Sequence, residues 1–243
     1  MRVAMSITTN LAHKFSKAND IRRRFGVAAT LQYAANIVGS KLCNFEALTL
    51  VWLPLNEMKI ELDLPDDTTM RFLTPSEVET FAQDPANEFV ESHVGRAHAG
   101  TDLCFAALVD GRLASYGWYT LDRAFSIGDN GLLMRAPSNA AYMHSGFTHP
   151  DFRGRRLHGI GMGRALHALS DRGINSLVSD VDWANHASLK SCARLGYRML
   201  GNLYAIGNGR FFSIPKPARK LGISFERETA VEPQIAETTL NAA

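Results

Sequence analysis

The sequence lacks what would mark a secreted, membrane-embedded or nucleic-acid-coating chain. Only three cysteines occur among 243 residues, Cys43, Cys104 and Cys192. No two stand at metal or redox spacing, and an odd number closes no disulfide set, so a reduced, cytoplasmic protein is expected. The longest apolar stretch, residues 47–55, includes Thr49 and Pro54. It falls well short of the roughly 20 residues that a membrane span needs. Excess charge of one sign is missing too: 26 basic and 24 acidic residues leave a net +2, too balanced for a dedicated nucleic-acid binder. The basic start, with Lys14, Lys17 and Arg22 to Arg24, has no continuous apolar core and so does not read as a secretory signal. What remains, 46% hydrophobic and 9% aromatic, is ordinary globular composition.

Three regions follow from the punctuation of the chain. Residues 1–66 read as an N-terminal extension and linker. Phe25, Ala28, Leu31, Ala35 and Val38 recur at helical spacing and predict a helix over 21–42, with a strand over 45–53 behind it. Residues 67–215 read as the main domain. Thr74, Pro75 and Glu77 form a helix start, and Asp84-Pro85 predicts a second helix reaching residue 96. Asp110-Gly111 predicts a tight hairpin turn between strands 103–109 and 113–120. A long connection leads to a strand over 141–148, a helix stopped by Gly173, a strand over 176–181, a short helix stopped by Gly196, and strands over 197–206 and 210–214. Residues 216–243 read as a tail, polar and partly disordered from Glu226 on.

The chemistry concentrates where the strand ending at Thr148 turns into a helix. Between them lie Arg153, Gly154, Arg155, Arg156, Leu157, His158 and Gly159. The first amides of a helix have no internal partners and sit at the positive end of its dipole. Three arginines beside them suit a phosphate or diphosphate. Downstream, Asn185 can cap a short helix that Gly196 ends.

Arg153 with Gly154 after a strand and Pro150, and Asn185 with Ser188, Leu189, Gly196 and Tyr197, resemble the two motifs of the GNAT superfamily of acyl-CoA-dependent N-acyltransferases. Two positions depart from that pattern. Arg156 stands where glycine is usual, and His158 where glycine or alanine is usual. If the backbone at residue 156 needs positive φ, arginine there costs on the order of 1 kcal/mol.

The resemblance implies an α/β (α+β) fold, a mixed, mostly antiparallel sheet splayed between strands 141–148 and 176–181. Acetyl-CoA, or another acyl-CoA, would be wedged in the splay as co-substrate. It implies that Phe147 and Thr148 hold the pantetheine, that the turn from Arg153 to Gly159 holds the diphosphate, and that Asn185 lies beside the cofactor. The family's usual glutamate base is replaced by His144, whose imidazole suits proton transfer near neutral pH. Its usual tyrosine acid is replaced by Cys192; Tyr197 and Tyr204 stand at the wrong spacing. The implied activity is acetyl or short-acyl transfer to a primary amine of a small molecule, without nucleic-acid partner or membrane span, and a homodimer is compatible with it. Two alternatives stay open: a long-chain acyl-CoA or acyl-carrier-protein donor met by Arg22 to Arg24, and a non-catalytic acyl-CoA sensor. His93 and His98 lack a third ligand in sequence, so no metal is expected. Trp118 and Tyr119 suit either an acceptor pocket or the core.

Overall fold

The structure, a computed structural model, describes residues 7–59, 63–121, 124–128 and 131–227. It opens with helix α1 (Ile7–Cys43), which Gly26 breaks at φ 87° and ψ −177°. That backbone conformation is open to glycine and strained for other residues. The apolar spacing does not mark the buried face: Leu31 and Val38 stay exposed while Ile21 and Ala29 are buried. Polar contacts fasten the helix instead: Gln32 Nε2 donates to the Trp183 carbonyl at 3.0 Å, and Asn36 Nδ2 to the Asp182 carboxylate at 3.1 Å.

Strand β1 (Glu46–Pro54) follows. Leu48, Leu50 and Trp52 enter one apolar cluster, and Val51 and Leu53 enter another. That period of two, buried on both faces, is the signature of an interior strand. Strand β2 (Thr68–Phe72) leads to helix α2 (Pro75–Ala82). Its start is closed reciprocally: Thr74 Oγ1 accepts from the Glu77 amide at 3.3 Å, and the Glu77 carboxylate accepts from the Thr74 amide at 2.9 Å.

The helix expected from Pro85 begins later. Residues 85–87 make one tight turn, Glu88 takes φ 53°, and helix α3 runs over Glu91–His98. The Tyr116 hydroxyl donates to the Asn87 carbonyl at 3.0 Å and to the Glu88 carbonyl at 3.3 Å, diverting both from a helical ladder.

Strands β3 (Asp102–Val109) and β4 (Arg112–Thr120) form the expected hairpin, with Asp110 and Gly111 at φ 48° and 76°. The connection after it holds two strands, β5 (Ala124–Ile127) and β6 (Leu132–Arg135), each too short for an alternating pattern to show in sequence. The chain continues with β7 (Ala140–Thr148), α4 (Leu157–Ser170), β8 (Ser176–Asp182), α5 (His186–Leu195), β9 (Arg198–Ile206), β10 (Phe211–Ser213), α6 (Lys216–Lys220) and β11 (Ser224–Arg227). The last two correct part of the expected tail: β11 pairs with β6, and Phe225 is buried. The tail beyond Arg227 lies outside the described residues.

Eight strands form one sheet in the order β10-β9-β1-β8-β7-β4-β3-β2, and β11-β6-β5 form a second. β1, from the segment expected to extend the domain, lies inside the sheet between β8 and β9. α4 covers one face through Met162, Ala165, Leu166 and Leu169. The small sheet and α6 cover the other face at β1 and β9, while α2 and α3 cover it at β3 and β4.

Of the pairings among the described residues, only β7 with β8 is parallel, and it is brief: Ala140, Ala141 and Tyr142 face Ser176, Leu177 and Val178. Beyond Tyr142 the two strands part. The main site lies in that parting.

Candidate active site

Where β7 leaves β8, a cavity of about 460 Å³ opens. β7 contributes His144, Ser145 and Gly146, and β8 contributes Ser179, Asp180 and Asp182. α5 adds Ser188, Ser191, Cys192 and Leu195, which share one side of the helix at steps of three and four. The edge of β7 from Met143 to Thr148 has no ladder with β8, so its backbone groups on that side are available to a ligand. A second, open cleft of about 1310 Å³ adjoins the first and is lined by Gly146, Phe147, Thr148, Arg153, Gly154 and Asn185, among others.

The turn into α4 has the form an anion site needs. Arg156, at the cap, adopts φ 60° and provides no side-chain cap to the helix. The strained arginine considered from the sequence is therefore present. The first-turn amides of Leu157, His158 and Gly159 precede the first intrahelical bond, from Ile160 to the Arg156 carbonyl at 3.1 Å. Arg153 Nε donates to the Thr148 carbonyl at 3.3 Å, holding the turn against the end of β7. Gly154 takes φ 86° with open space where a Cβ would stand.

The other residues of the turn separate. Arg155 reaches away to Asp67 at 2.6 Å, and this pair lowers the Asp67 carboxyl. Leu157 is buried beneath the turn with Phe152. Arg156 and Gly159 border a third hollow with Lys59 and Arg194. His158 turns under β7, close against Gly146, and burial pushes its imidazole pKa down.

His144 is the centre of a charged cluster. Its Nε2 lies 3.3 Å from the carboxylate of Asp102, which is 1% exposed and also meets Arg96 at 2.7 Å. Thr120, opposite Asp102 in the β3–β4 register, donates its hydroxyl to the same carboxylate. Burial pushes the Asp102 carboxyl up, but His144, Thr120 and Arg96 together hold it below the ordinary carboxylate range. With a proton on Nε2, the nitrogen facing the carboxylate, Nδ1 would be the nitrogen open to accept one. Nδ1 lies 3.1 Å from Ser145 Oγ, which is 3.5 Å from His93 Nε2. Ser145 itself stands at φ 48°, a left-handed conformation where side chains are strained.

Burial lowers the His93 pKa to about 4, helped by the neighbouring His144 and Arg96. An ordinary histidine titrates near 6.5. As pH falls from 6.5 toward about 4, the unfolded chain takes up a proton that folded His93 refuses, so stability falls across that window. His93 is only half-buried, which discounts the effect to on the order of 1 kcal/mol. Urea unfolding of wild type and His93→Asn at pH 7 and 4.5 is expected to show a smaller acid loss in the variant.

Across the parting, the Tyr142 hydroxyl donates to the Asp180 carboxylate. Burial raises the Asp180 pKa, and Tyr142 and His144 offset part of the rise. Tyr142 also stacks on His144, ring centres 5.4 Å apart. Cys192 lines the same cavity, with its thiol pushed up to about 11 by burial. Asn185 caps α5, accepting from the Ser188 amide at 3.2 Å.

Asp102, Tyr142 and Asp180 were not singled out in the sequence. The available signal was a carboxylate inside one apolar strand, Asp180, and one at the head of another, Asp102. His93 and His98 diverge, the first toward His144 and the second toward Glu79. Among the described residues, no three His, Cys, Asp or Glu side chains gather in a metal-binding group. Trp118 and Tyr119 are core residues on opposite faces of β4. Tyr197 is buried against Met162, and Tyr204 stands apart on Asn202.

A family model described as the acetyltransferase (GNAT) family matches residues 67–197, more than half of the sequence. The chain belongs to the GNAT acetyltransferase family. No curated protein matches it. Among solved structures, a GNAT-family protein from Novosphingobium aromaticivorans has 16% identity and a TM-score of 0.45, over 66% of this chain and 62% of that one. A GCN5-related N-acetyltransferase from Kribbella flavida has 14% identity and a TM-score of 0.45, over 64% and 55%. The chain thus matches less than two thirds of the length of either.

Proposed function

We propose that this chain transfers an acetyl or other short acyl group from acyl-CoA to a primary amine of a small molecule. The observation that carries the proposal is the pairing of an unladdered β7 edge and uncapped α4 start with an Asp102-supported His144 at the same opening. These groups fit acyl-CoA. The β7 edge from Met143 to Thr148 would take the pantetheine amides, and Arg153, Gly154 and the first amides of α4 would take the diphosphate. Acyl-CoA supplies the activated thioester carbonyl.

The chain's own part is proton handling. His144 Nδ1 accepts the proton of the attacking amine, directly or through Ser145 Oγ at 3.1 Å, and Asp102 stabilises the resulting imidazolium. Opposite, burial raises the Asp180 carboxyl, so that it can hold a proton and pass it to the thiolate that leaves as the C–S bond breaks, while Tyr142, itself pushed up by burial, orients it. That role suits Asp180 better than Cys192, whose thiol at about 11 gives up its proton poorly near neutral pH.

A short acyl group suits the mixed lining of the smaller cavity, where Ser179, Asp180 and Ser191 stand beside Met143, Met162, Val181 and Leu195. The charged support behind His144 speaks for catalysis over a sensor role. The test is a panel of amino sugars, amino acids and polyamines incubated with acetyl-CoA, read by mass spectrometry and by free thiol release. Acylated amine with stoichiometric thiol supports the proposal. Tight acetyl-CoA binding without turnover on any amine would favour the sensor.

A further inference from the structure

One wall of the larger cleft is built from outside the family segment. α1 lays Lys17, Arg24 and Phe25 along it, facing Lys190 and Arg194 on α5, with Arg153 at the base. Lys17 and Arg24 stand seven positions apart and Lys190 and Arg194 four, so each pair shares one side of its helix. Glu88 is the carboxylate among the described residues of the lining, against five cations. Arg24 has a partner on its own helix, Asp20 at 3.3 Å, but both side chains are well exposed, and such a pair is easily exchanged. The half of α1 that carries Lys17 and Arg24 is seated by buried Ile21 and by Phe25 tilted on His186 at 5.5 Å between ring centres, and the half beyond Gly26 by the bonds of Gln32 and Asn36 to the β8–α5 connection.

The ligand this wall fits is set by what the functional proposal leaves unplaced. If the pantetheine lies along β7 and the diphosphate on the turn into α4, the rest of coenzyme A must run outward into the adjoining cleft. That remainder is an aromatic base and a ribose bearing a 3′-phosphate. Cations on α1 match the phosphate; Arg24 now lies over the Phe25 ring at 5.5 Å, and its turn toward the phosphate would open that ring to the base. We propose that α1 is the receptor for the 3′-phosphoadenosine end of coenzyme A, with Lys17 and Arg24 holding the 3′-phosphate. The inference rests on the functional proposal above and sharpens it. An acyl carrier protein presents the same pantetheine on a single phosphodiester, with no adenosine and no 3′-phosphate. α1 therefore selects CoA thioesters over carrier-bound ones.

The experiment is calorimetric titration of wild type and a Lys17→Ala/Arg24→Ala double variant with CoA and with 3′-dephospho-CoA at low salt. Wild type is expected to bind CoA about tenfold or more tightly than dephospho-CoA, the worth of one or two charge-assisted hydrogen bonds. The double variant is expected to bind the two equally, with an unchanged ligand-free melting temperature, and added salt is expected to shrink the wild-type difference. Equal binding of the two nucleotides by wild type, or the same preference in both proteins, would overturn the assignment and leave the functional proposal standing. A wild type that binds neither nucleotide would overturn both. If the variant misfolds, Lys17→Gln and Arg24→Gln, tested singly, carry the same comparison. A holo carrier protein that displaces CoA at equal concentration would also contradict the selectivity.

Discussion

His144→Ala is expected to lower kcat by about 10²–10⁴-fold, the usual worth of a positioned general base, while leaving the dissociation constant of acetyl-CoA little changed. The separation follows from position. His144 sits at the mouth of the smaller cavity, 11% exposed and backed by Asp102, whereas the turn expected to grip the cofactor is at the far end of β7. The acid limb of the rate–pH profile is expected to vanish in the same variant. Asp102→Asn probes the support separately. The amide keeps the shape but not the charge, so the acid limb moves to lower pH and kcat falls, because a neutral partner no longer stabilises the imidazolium. A merely structural Asp102 would lower the melting temperature and leave the profile in place. Steady-state rates from pH 5 to 9 distinguish the two. An unaltered profile in His144→Ala would remove that residue from the chemistry.

Gly154→Asp is expected to abolish the stabilisation that acetyl-CoA gives. At about 100 times its dissociation constant a ligand adds roughly 2.7 kcal/mol to stability. Aspartate would put a carboxylate beside the proposed diphosphate site and also impose strain at φ 86°. The strain alone is on the order of 1–2 kcal/mol and would lower the ligand-free melting temperature. Gly154→Ala imposes similar strain without charge, and no atom lies within 4 Å of where its Cβ would stand. The alanine variant is therefore expected to melt lower but keep most of the ligand shift, and the aspartate variant to lose it. Equal retention by both would separate the turn from the phosphate.

Local chemistry made much of this molecule legible in advance. The Thr74–Glu77 closure, the Asp110-Gly111 turn and the Asn185 cap each depend on residues within three positions of one another, and each is present. The turn from Arg153 to Gly159 was legible for the same reason, though the left-handed backbone of Arg156 entered only as a condition. Pairings between distant residues were not. β1 enters between β8 and β9, about 120–160 positions away in sequence, and nothing in a nine-residue apolar run says which neighbours it will find. β5, β6 and β11 are four residues each, and their third strand is present only because residues 224–227 return to 132–135.

The site divides along the same line. His144 could be named because its position follows from a motif next to it. Asp102 could not, because its tie to His144 runs through the β3–β4–β7 pairings rather than through adjacency. Lys17 and Arg24 were visible as basic residues, but the side of α1 they occupy depends on how that helix docks on the β8–α5 connection. Arg155 shows the converse: a basic residue inside the motif, turned away by Asp67.

The most direct measurement is residue-resolved amide hydrogen exchange with and without coenzyme A. The expected result is slowed exchange at Leu157, His158 and Gly159 at the start of α4, and along Met143 to Thr148 on the unladdered edge of β7. Coenzyme A that binds yet leaves both sets of amides exchanging as before would contradict the placement of the ligand, and with it the proposed chemistry.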